Sequence, residues 1–310
     1  MINVALFGFG RIGQMHAANL SKHKEIKILY VCEKLSHLNK KAKNLYKCII
    51  ENNYYKIFSD NKVDIVFISS PTNTHIKLIE VAMKNKKTIF CEKPLDLNIN
   101  KIIKTFKKVK KIKPRIQLGF NRRYDPGHFS IKKDLDRNKI GKLEKIIITS
   151  RDPSPPSISY LKSSGGIFRD MMIHDFDLCR FYLGKDEIDQ VHAFASSFEP
   201  FYKKIKDHEL AVVTMKSKKG VICVITNSRH CSFGYDQRVE LFGKNGMLIS
   251  GNKKKDSTEY FNSSQTNSQK SFLNFFIERY NDAYNLQLKD LILLHKNKIK
   301  SRSTFEDGYL

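Results

Sequence analysis

Ile2-Asn3-Val4-Ala5-Leu6-Phe7-Gly8-Phe9-Gly10-Arg11-Ile12-Gly13 opens the chain, and its reading decides the fold. An apolar run enters a glycine-rich turn, and residues 12–20 continue with helical spacing, so a strand gives way to a helix. In that setting Gly8 makes the tight turn, Gly10 lets a backbone approach a pyrophosphate, and Gly13 packs helix on strand. The free amides at the helix N-terminus attract phosphate. Glu33 closes a second strand-like run, residues 26–31, where an acidic side chain can accept hydrogen bonds from both ribose hydroxyls of an adenosine. Its charge would repel a 2′-phosphate, which favours NAD over NADP. The plainer alternative is an exposed glutamate at a strand end, with Lys34 able to neutralise a phosphate.

Working outward, residues 64–69, 88–91 and 115–119 read as strands, with helices at 74–84 and 99–109. This is the βαβ alternation of a doubly wound parallel sheet. After residue 120 the pattern changes. A helix at 126–138 leads to a strand at 143–150, a loop at 151–159 and a helix at 170–183. Strand-like runs then follow in succession at 188–197, 209–216, 221–228, 237–242 and 246–250. Turns such as Lys218-Lys219-Gly220 and Lys244-Asn245-Gly246 join them, which predicts an α+β domain with a large, mostly antiparallel sheet. The expected division is therefore 1–120 for a dinucleotide-binding domain and 121–310 for a second, α+β domain. Residues 262–270 read as a polar loop. A final helix is expected at 271–294, its Phe272, Phe275, Phe276, Tyr280 and Tyr284 forming a buried stripe.

At 310 residues and 41% hydrophobic content the chain has room for two cores. No apolar stretch approaches the roughly 20 residues needed to cross a bilayer. The strand pattern beginning at residue 2 leaves no space for an export signal. Cys32, Cys48, Cys91, Cys179, Cys223 and Cys231 are scattered without a C-x-x-C pair, which fits a reducing cytoplasm. A formal charge of +25 invites a nucleic-acid reading, but the lysines are dispersed, mostly where helices end and loops begin. Neither a nucleic acid nor a membrane is therefore an expected partner. No metal is expected: His174, Asp175 and Asp177 lack a second histidine at ligand spacing.

Three further stretches carry chemistry. Ser69-Ser70-Pro71-Thr72-Asn73-Thr74-His75 follows a parallel strand at the edge where such sheets bind ligands, so Ser69, Thr72, Asn73 and His75 are candidates for the ribose or nicotinamide. Thr74 serves equally as a helix cap. Cys91-Glu92-Lys93-Pro94 lies at the same edge one strand later. There Lys93 can donate to a substrate hydroxyl and steady the alkoxide that forms as hydride leaves. In Gly165-Gly166-Ile167-Phe168-Arg169-Asp170-Met171-Met172-Ile173-His174-Asp175-Phe176-Asp177-Leu178, Asp170 and His174 stand four apart in a helix-compatible run. That spacing would project both from one helix face as an acid/base pair, with the glycines allowing a close approach. A neutral imidazole suits proton abstraction near pH 7. The bland alternative is a core histidine bonded to Asp170 for stability alone.

Residues 8–13, Glu92-Lys93-Pro94 and residues 165–178 resemble the Gfo/Idh/MocA family of two-domain NAD(P)-dependent oxidoreductases, over nearly the whole chain. Within it, Phe120-Asn121-Arg122-Arg123-Tyr124-Asp125, Ser150-Arg151-Asp152-Pro153 and Gly234-Tyr235-Asp236-Gln237-Arg238-Val239-Glu240 are similar to inositol 2-dehydrogenases. The resemblance implies an N-terminal Rossmann domain binding NAD through Gly8, Gly10, Arg11, Ile12, Gly13, Glu33, Ser69, Thr72, Asn73, His75, Glu92 and Lys93. It implies a catalytic trio of Lys93, Asp170 and His174, with Arg123, Asp152 and Tyr235 facing the polyol beside Asn121. The implied reaction oxidises myo-inositol to an inosose, the alternatives being scyllo-inositol or another polyol or sugar. It also implies substrate binding and oligomerisation for the domain 121–310, with a homodimer or homotetramer formed through the open face of the second-domain sheet. Residues 305–310 look like the start of a helix that runs on in relatives, which suggests a shortened C-terminus with exposed apolar surface, and a non-catalytic NAD-binding protein is the rival reading.

Overall fold

The structure, a computed structural model, describes residues 1–310. The N-terminal elements alternate: β1 (Ile2–Phe7), α1 (Arg11–Ser21), β2 (Ile26–Cys32), α2 (Ser36–Tyr46), β3 (Ile49–Ile50), α3 (Tyr54–Ser59), β4 (Ile65–Ile68), α4 (His75–Lys84), β5 (Thr88–Cys91), α5 (Ile99–Ile112) and β6 (Ile116–Leu118). Their strands form one parallel sheet in the order β3-β2-β1-β4-β5-β6. β4 and β5 are buried at every position, as expected for strands of a parallel sheet covered on both faces, and so they read as unbroken apolar runs. α2, β3 and α3 lie outside the sequence expectation. α2 fully buries only Ala42, with Leu38 and Tyr46 partly buried against the core, a thin stripe among lysines and asparagines.

Next come α6 (Pro126–Asp136), β7 (Leu143–Arg151), α7 (Ile158–Ser164), α8 (Gly166–Asp170), α9 (Ile173–Leu183), β8 (Ile188–Ser196), α10 (Pro200–Ile205), β9 (Leu210–Ser217), β10 (Ile222–Ser228), β11 (Asp236–Gly243) and β12 (Gly246–Ser250). These strands pair in the order β12-β11-β7-β10-β9-β8, antiparallel except for β7 with β10. Burial alternates along β7 and β9 because one face of the sheet meets a core. In that core Ile146, Ile148, Val213, Ile225 and Leu241 cluster with Leu178 and Tyr182 of α9.

Two expected helices are divided. The run 170–183 is broken at Met171 and Met172, whose amides both bond to the Ile167 carbonyl, at 3.1 and 2.9 Å. Sharing one acceptor interrupts the ladder, and both methionines turn into the core. Asp170 therefore ends α8, and His174 lies in the first turn of α9. The run 271–294 becomes α11 (Phe276–Arg279) and α12 (Asn281–His295). Before them the hairpin β13 (Glu259–Tyr260) and β14 (Ser268–Gln269) reaches into the expected polar loop. Of the aromatic stripe, Tyr280 and Tyr284 are buried, whereas Phe272, Phe275 and Phe276 are half-buried.

The chain divides into two compact units, residues 1–121 with 284–310, and residues 122–283. Residues 284–310 thus return to the first unit, although the sequence division places them in the second domain. Leu288, Leu291, Ile292 and Leu294 of α12 join a core with Val4, Leu6 and Phe67. α13 (Phe305–Tyr309) starts with a capping box at Thr304 and Asp307. It buries Phe305, and both Phe305 and Tyr309 stack on Phe106 of α5. Local sequence cannot show which sheet an apolar helix will cover.

His128 of α6 is enclosed, with Nδ1 2.9 Å from Ser250 Oγ. Burial pushes its pKa down to about 3, against the pull of Asp125. The fold keeps it neutral, whereas the unfolded chain takes up a proton near pH ~6.5. Its contribution is intact above that pH and fades by about 1.4 kcal/mol per pH unit as pH falls toward the folded value. Urea midpoints measured between pH 7 and pH 5 are expected to fall less steeply in His128→Gln than in wild type.

Candidate active site

In the first unit the strand order reverses between β1 and β4, the switch point at which open α/β sheets bind ligands. The ends of these two strands meet there. Gly8 has φ +86°, and a Cβ on it would lie 2.6 Å from Ser70 Cα. A Cβ on Gly13 would fall 2.2 Å from the Gly8 carbonyl oxygen. Gly10 differs. Its φ is −66°, and a Cβ there would meet nothing within 4 Å. Nothing in the chain itself requires glycine at that point, so the space it leaves suits an external group such as a pyrophosphate. Arg11 and Ile12 open α1 beside it.

Glu33 is fixed next to this loop. Its Oε2 accepts from the Phe9 amide at 2.7 Å, and its Oε1 from the amides of Lys34 and Leu35 at 2.7 and 3.0 Å. A carboxylate held so has about one of its four acceptor sites left for a ribose hydroxyl. Ser69 donates its hydroxyl to the carbonyls of Phe7 or Gly8, at 3.2 and 3.0 Å, which ties the β4 end to the glycine turn. Thr72 and Asn73 lie in the 3-10 turn that follows, half-buried and exposed. His75 is placed differently from the expectation. It is buried, with Nδ1 2.8 Å from the Pro94 carbonyl and Nε2 2.8 Å from the Ser70 carbonyl, so neither nitrogen is presented to a ligand. It joins two loops of the site instead.

Lys93 is half-buried and follows β5 at the same carboxyl edge of the sheet. The preceding carboxylate has its own partner: Glu92 Oε1 lies 2.7 Å from His16 Nε2, and Glu92 Oε2 accepts from the Lys93 amide at 3.2 Å. Sequence reasoning missed His16. Its only signal is its place on the buried face of α1 with Gly13, Ala17 and Leu20, and that spacing says core and nothing of chemistry.

In the second unit, Asp170 Oδ1 accepts from the Tyr160 hydroxyl at 2.7 Å and Oδ2 from Arg229 Nη1 at 3.1 Å. Both partners escaped the sequence reading, since neither has a motif around it. His174 is half-buried. The glycine pair serves the chain itself: Gly165 ends α7 in a left-handed conformation, and a Cβ on Gly166 would lie 2.8 Å from Asp207 Oδ1. Arg123 is buried and bidentate to Asp177, through Nε at 2.8 Å and Nη2 at 2.7 Å, where the sequence suggested an open donor for a polyol. Tyr235 is also buried, its ring edge-on to Tyr280. Asp152 is half-buried, its amide bonded to the Ser228 carbonyl at 2.9 Å. Asn121 is buried in the 3-10 turn that leads out of the first unit.

Behind these residues lies a polar core. Arg122 donates to Asp175 and, at 3.0 Å, to Ser150 Oγ, while Asn227 donates to the other Asp175 oxygen at 3.0 Å. Burial opposes the Arg122 charge, yet Asp175, with Tyr280, Tyr235 and Asp152 nearby, raises its pKa above the usual arginine value.

A glycine loop at the switch point of a doubly wound sheet, joined to an α+β unit carrying a carboxylate and a histidine, is the plan of a two-domain dinucleotide-dependent oxidoreductase. Comparison with known proteins agrees. Residues 2–120 match the oxidoreductase family with an NAD-binding Rossmann fold, and residues 129–249 match the GFO/IDH/MocA C-terminal domain. The chain is 37% identical to the myo-inositol 2-dehydrogenase of Thermotoga maritima, covering 99% of this chain and 92% of that one. It superimposes on the myo-inositol dehydrogenase of Corynebacterium glutamicum with a TM-score of 0.94, at 35% identity over 100% and 92% of the two chains. The scyllo-inositol dehydrogenase of Lactobacillus casei, solved with bound NAD(H) and scyllo-inositol, gives a TM-score of 0.91 at 28% identity over 100% and 93%. The protein belongs to the Gfo/Idh/MocA family of oxidoreductases.

The glycine geometry separates folding from binding. Gly10→Ala is expected to leave stability within about 0.5 kcal/mol of wild type while weakening NAD binding, as read by thermal denaturation and by titration with the dinucleotide. Gly13→Ala should lower the melting temperature even without ligand.

Proposed function

We propose that the protein is an NAD-dependent inositol 2-dehydrogenase that oxidises one ring hydroxyl of myo-inositol to the ketone. The observation that carries this reading is near full-length similarity to a myo-inositol 2-dehydrogenase, joined to a glycine loop whose open space suits a dinucleotide. NAD, when bound, supplies the hydride acceptor. Gly8, Gly10, Arg11, Ile12 and Gly13 cradle its phosphates. Glu33 takes a ribose hydroxyl and disfavours a 2′-phosphate, and Ser69, Thr72 and Asn73 line the path toward the nicotinamide.

His174 takes the hydroxyl proton as a neutral base, the C–H bond gives up its electron pair as hydride, and the carbon becomes a carbonyl. Asp170 orients the imidazole and steadies its protonated form. Lys93 donates to the reacting oxygen as negative charge develops there. Asp152 and Asn121 are direct partners for ring hydroxyls, while Arg123, tied to Asp177, acts by fixing α9. His75 and Glu92 hold the loops around the cofactor.

A second reading, the same oxidation of scyllo-inositol, is supported by similarity to a scyllo-inositol dehydrogenase. A cytoplasmic setting accords with six free cysteines; no helix is long and apolar enough to cross a membrane. Association into a homodimer or homotetramer is supported by the sheet of the second unit, whose outer face exposes Phe194, Ile222, Phe242, Met247 and Ile249.

Absorbance of reduced nicotinamide, followed with purified protein, NAD and a panel of myo-inositol, scyllo-inositol and glucose, tests the reading. Turnover is expected with myo-inositol and NAD in preference to NADP. His174→Ala should lower kcat by about 10²–10⁴-fold. Binding of NAD without turnover of any polyol would sink the proposal.

A further inference from the structure

The carboxylate of Asp170 is held in a way the catalytic reading does not require. It is buried and stands at the C-terminal end of α8, where the helix carbonyls disfavour negative charge. Two donors from distant parts of the second unit offset this, one to each oxygen. The Tyr160 hydroxyl, from α7, reaches Oδ1 at 2.7 Å, and Arg229 Nη1, from the residue following β10, reaches Oδ2 at 3.1 Å. Two bonds to two oxygens fix the plane of the carboxylate.

Arg229 is only 1% exposed and is itself placed by a second carboxylate. Its Nη2 lies 3.9 Å from Asp207 Oδ2. The other Asp207 oxygen accepts from the amides of Ile167 and His208 at 2.9 and 2.8 Å, so Asp207 closes the start of α8. One guanidinium therefore stands between the carboxylate at the beginning of α8 and the carboxylate at its end. Tyr160 contrasts with it: the residue is 41% exposed, and its hydroxyl is directed to Asp170 from a helix at the surface, where core packing asks for no such bond.

We propose that Arg229 and Tyr160 are positioning residues for Asp170: they hold its carboxylate in one orientation, so that it meets the imidazole of His174 at a fixed angle when the imidazole takes up a proton. Arg229 also draws off part of the Asp170 charge, which leaves the carboxylate able to steady an imidazolium without trapping it. Asp207 belongs to the same device one step further out, since it orients Arg229. This rests on the reading of Asp170 as a partner of the base.

The test is a double-mutant cycle on the full chain with NAD and myo-inositol, using Tyr160→Phe, Arg229→Lys, Asp170→Asn and each of the first two combined with Asp170→Asn. Melting temperature and NAD affinity are measured alongside. Tyr160→Phe is expected to lower kcat about tenfold, as the loss of one hydrogen bond to a charged group would, with NAD affinity unchanged and some fall in melting temperature from the lost bond. Arg229→Lys, which keeps the charge but loses the planar fork, should lower kcat by more. In the Asp170→Asn background both further losses should vanish to within about twofold, because residues that act through one group are not additive. Losses that multiply in that background, or wild-type kcat in Tyr160→Phe, would overturn the proposal. Should Arg229→Lys fail to fold, the Tyr160→Phe cycle decides alone, since that side chain lies at the surface. Wild-type turnover in Asp170→Asn would instead remove the reading of Asp170 on which the proposal stands, an outcome distinct from failure of the cycle.

Discussion

A carboxylate taken out of water has to be met by a cation or by several donors, and the second unit is organised by that requirement. Asp175 is met by Arg122, Asp177 by Arg123, Asp125 by Arg279, Asp170 by Arg229, and Asp236 by both Arg151 and Arg238. Most of these pairs join segments that the chain brings together from a distance. Arg279 of α11 closes on the residue that caps α6. Arg122 and Arg123 pin the start of the second unit to α9, the helix that carries His174. Such pairs add little net stability over apolar packing, because desolvation cancels much of the attraction, but leaving one partner alone is costly, on the order of 3–5 kcal/mol. The effect is to exclude arrangements in which any pair is broken, and so to hold the polar side chains of this unit in one configuration.

The first unit meets its requirement with backbone. Its ligand edge is shaped by the near-contact of Gly8 with Ser70, by the Gly13 approach to Gly8, and by amides that fix Glu33. Only glycine satisfies the first two positions, so the requirement is written in the residue types themselves. β1, α1, β2, β4, α4, β5, α5 and β6 were also legible from residue order alone, the strands as short apolar runs and the helices by their spacing. α2 and α3 were not: α3 is a six-residue apolar run too short to tell from a strand by periodicity, and the few apolar residues of α2 are spread thinly among lysines and asparagines.

In the second unit residue type and neighbour are decoupled. The strands were readable because a sheet with one face on a core alternates in period two. The helix break at Met171 and Met172 was not, because both residues favour helix and the cause is a carbonyl shared between two amides. Asp170 and His174 stood out in the sequence by residue type and spacing. Tyr160 and Arg229, which hold Asp170, stand 10 and 59 residues away from it with nothing around them to mark the role. Arg123 is a different case: a cation suited to a polyol by type is paired by the fold with Asp177, a partner its neighbours in sequence do not announce. The return of residues 284–310 to the first sheet is equally silent, because an apolar helix face does not say which surface it will cover.

The two kinds of cation in this chain divide along the same line. Lysine and arginine together give 56 positive residues against 31 acidic ones, yet the buried cations are Arg122, Arg123, Arg229 and Arg279, with no lysine among them. An ammonium is a strongly hydrated point charge on a flexible stem, and it loses much on burial. A guanidinium is weakly hydrated and presents a planar fork that can grip a carboxylate along two directions. Most lysines thus stand where solvation suffices, exceptions being half-buried Lys93 and Lys87, whose Nζ donates to the Asp60 and Val63 carbonyls, and the fully buried cations paired with carboxylates are arginines. The large net charge then reports on the outside of the molecule and carries little information about its chemistry, whereas a few arginines, inconspicuous in the composition, determine how the carboxylates of the second unit are aimed.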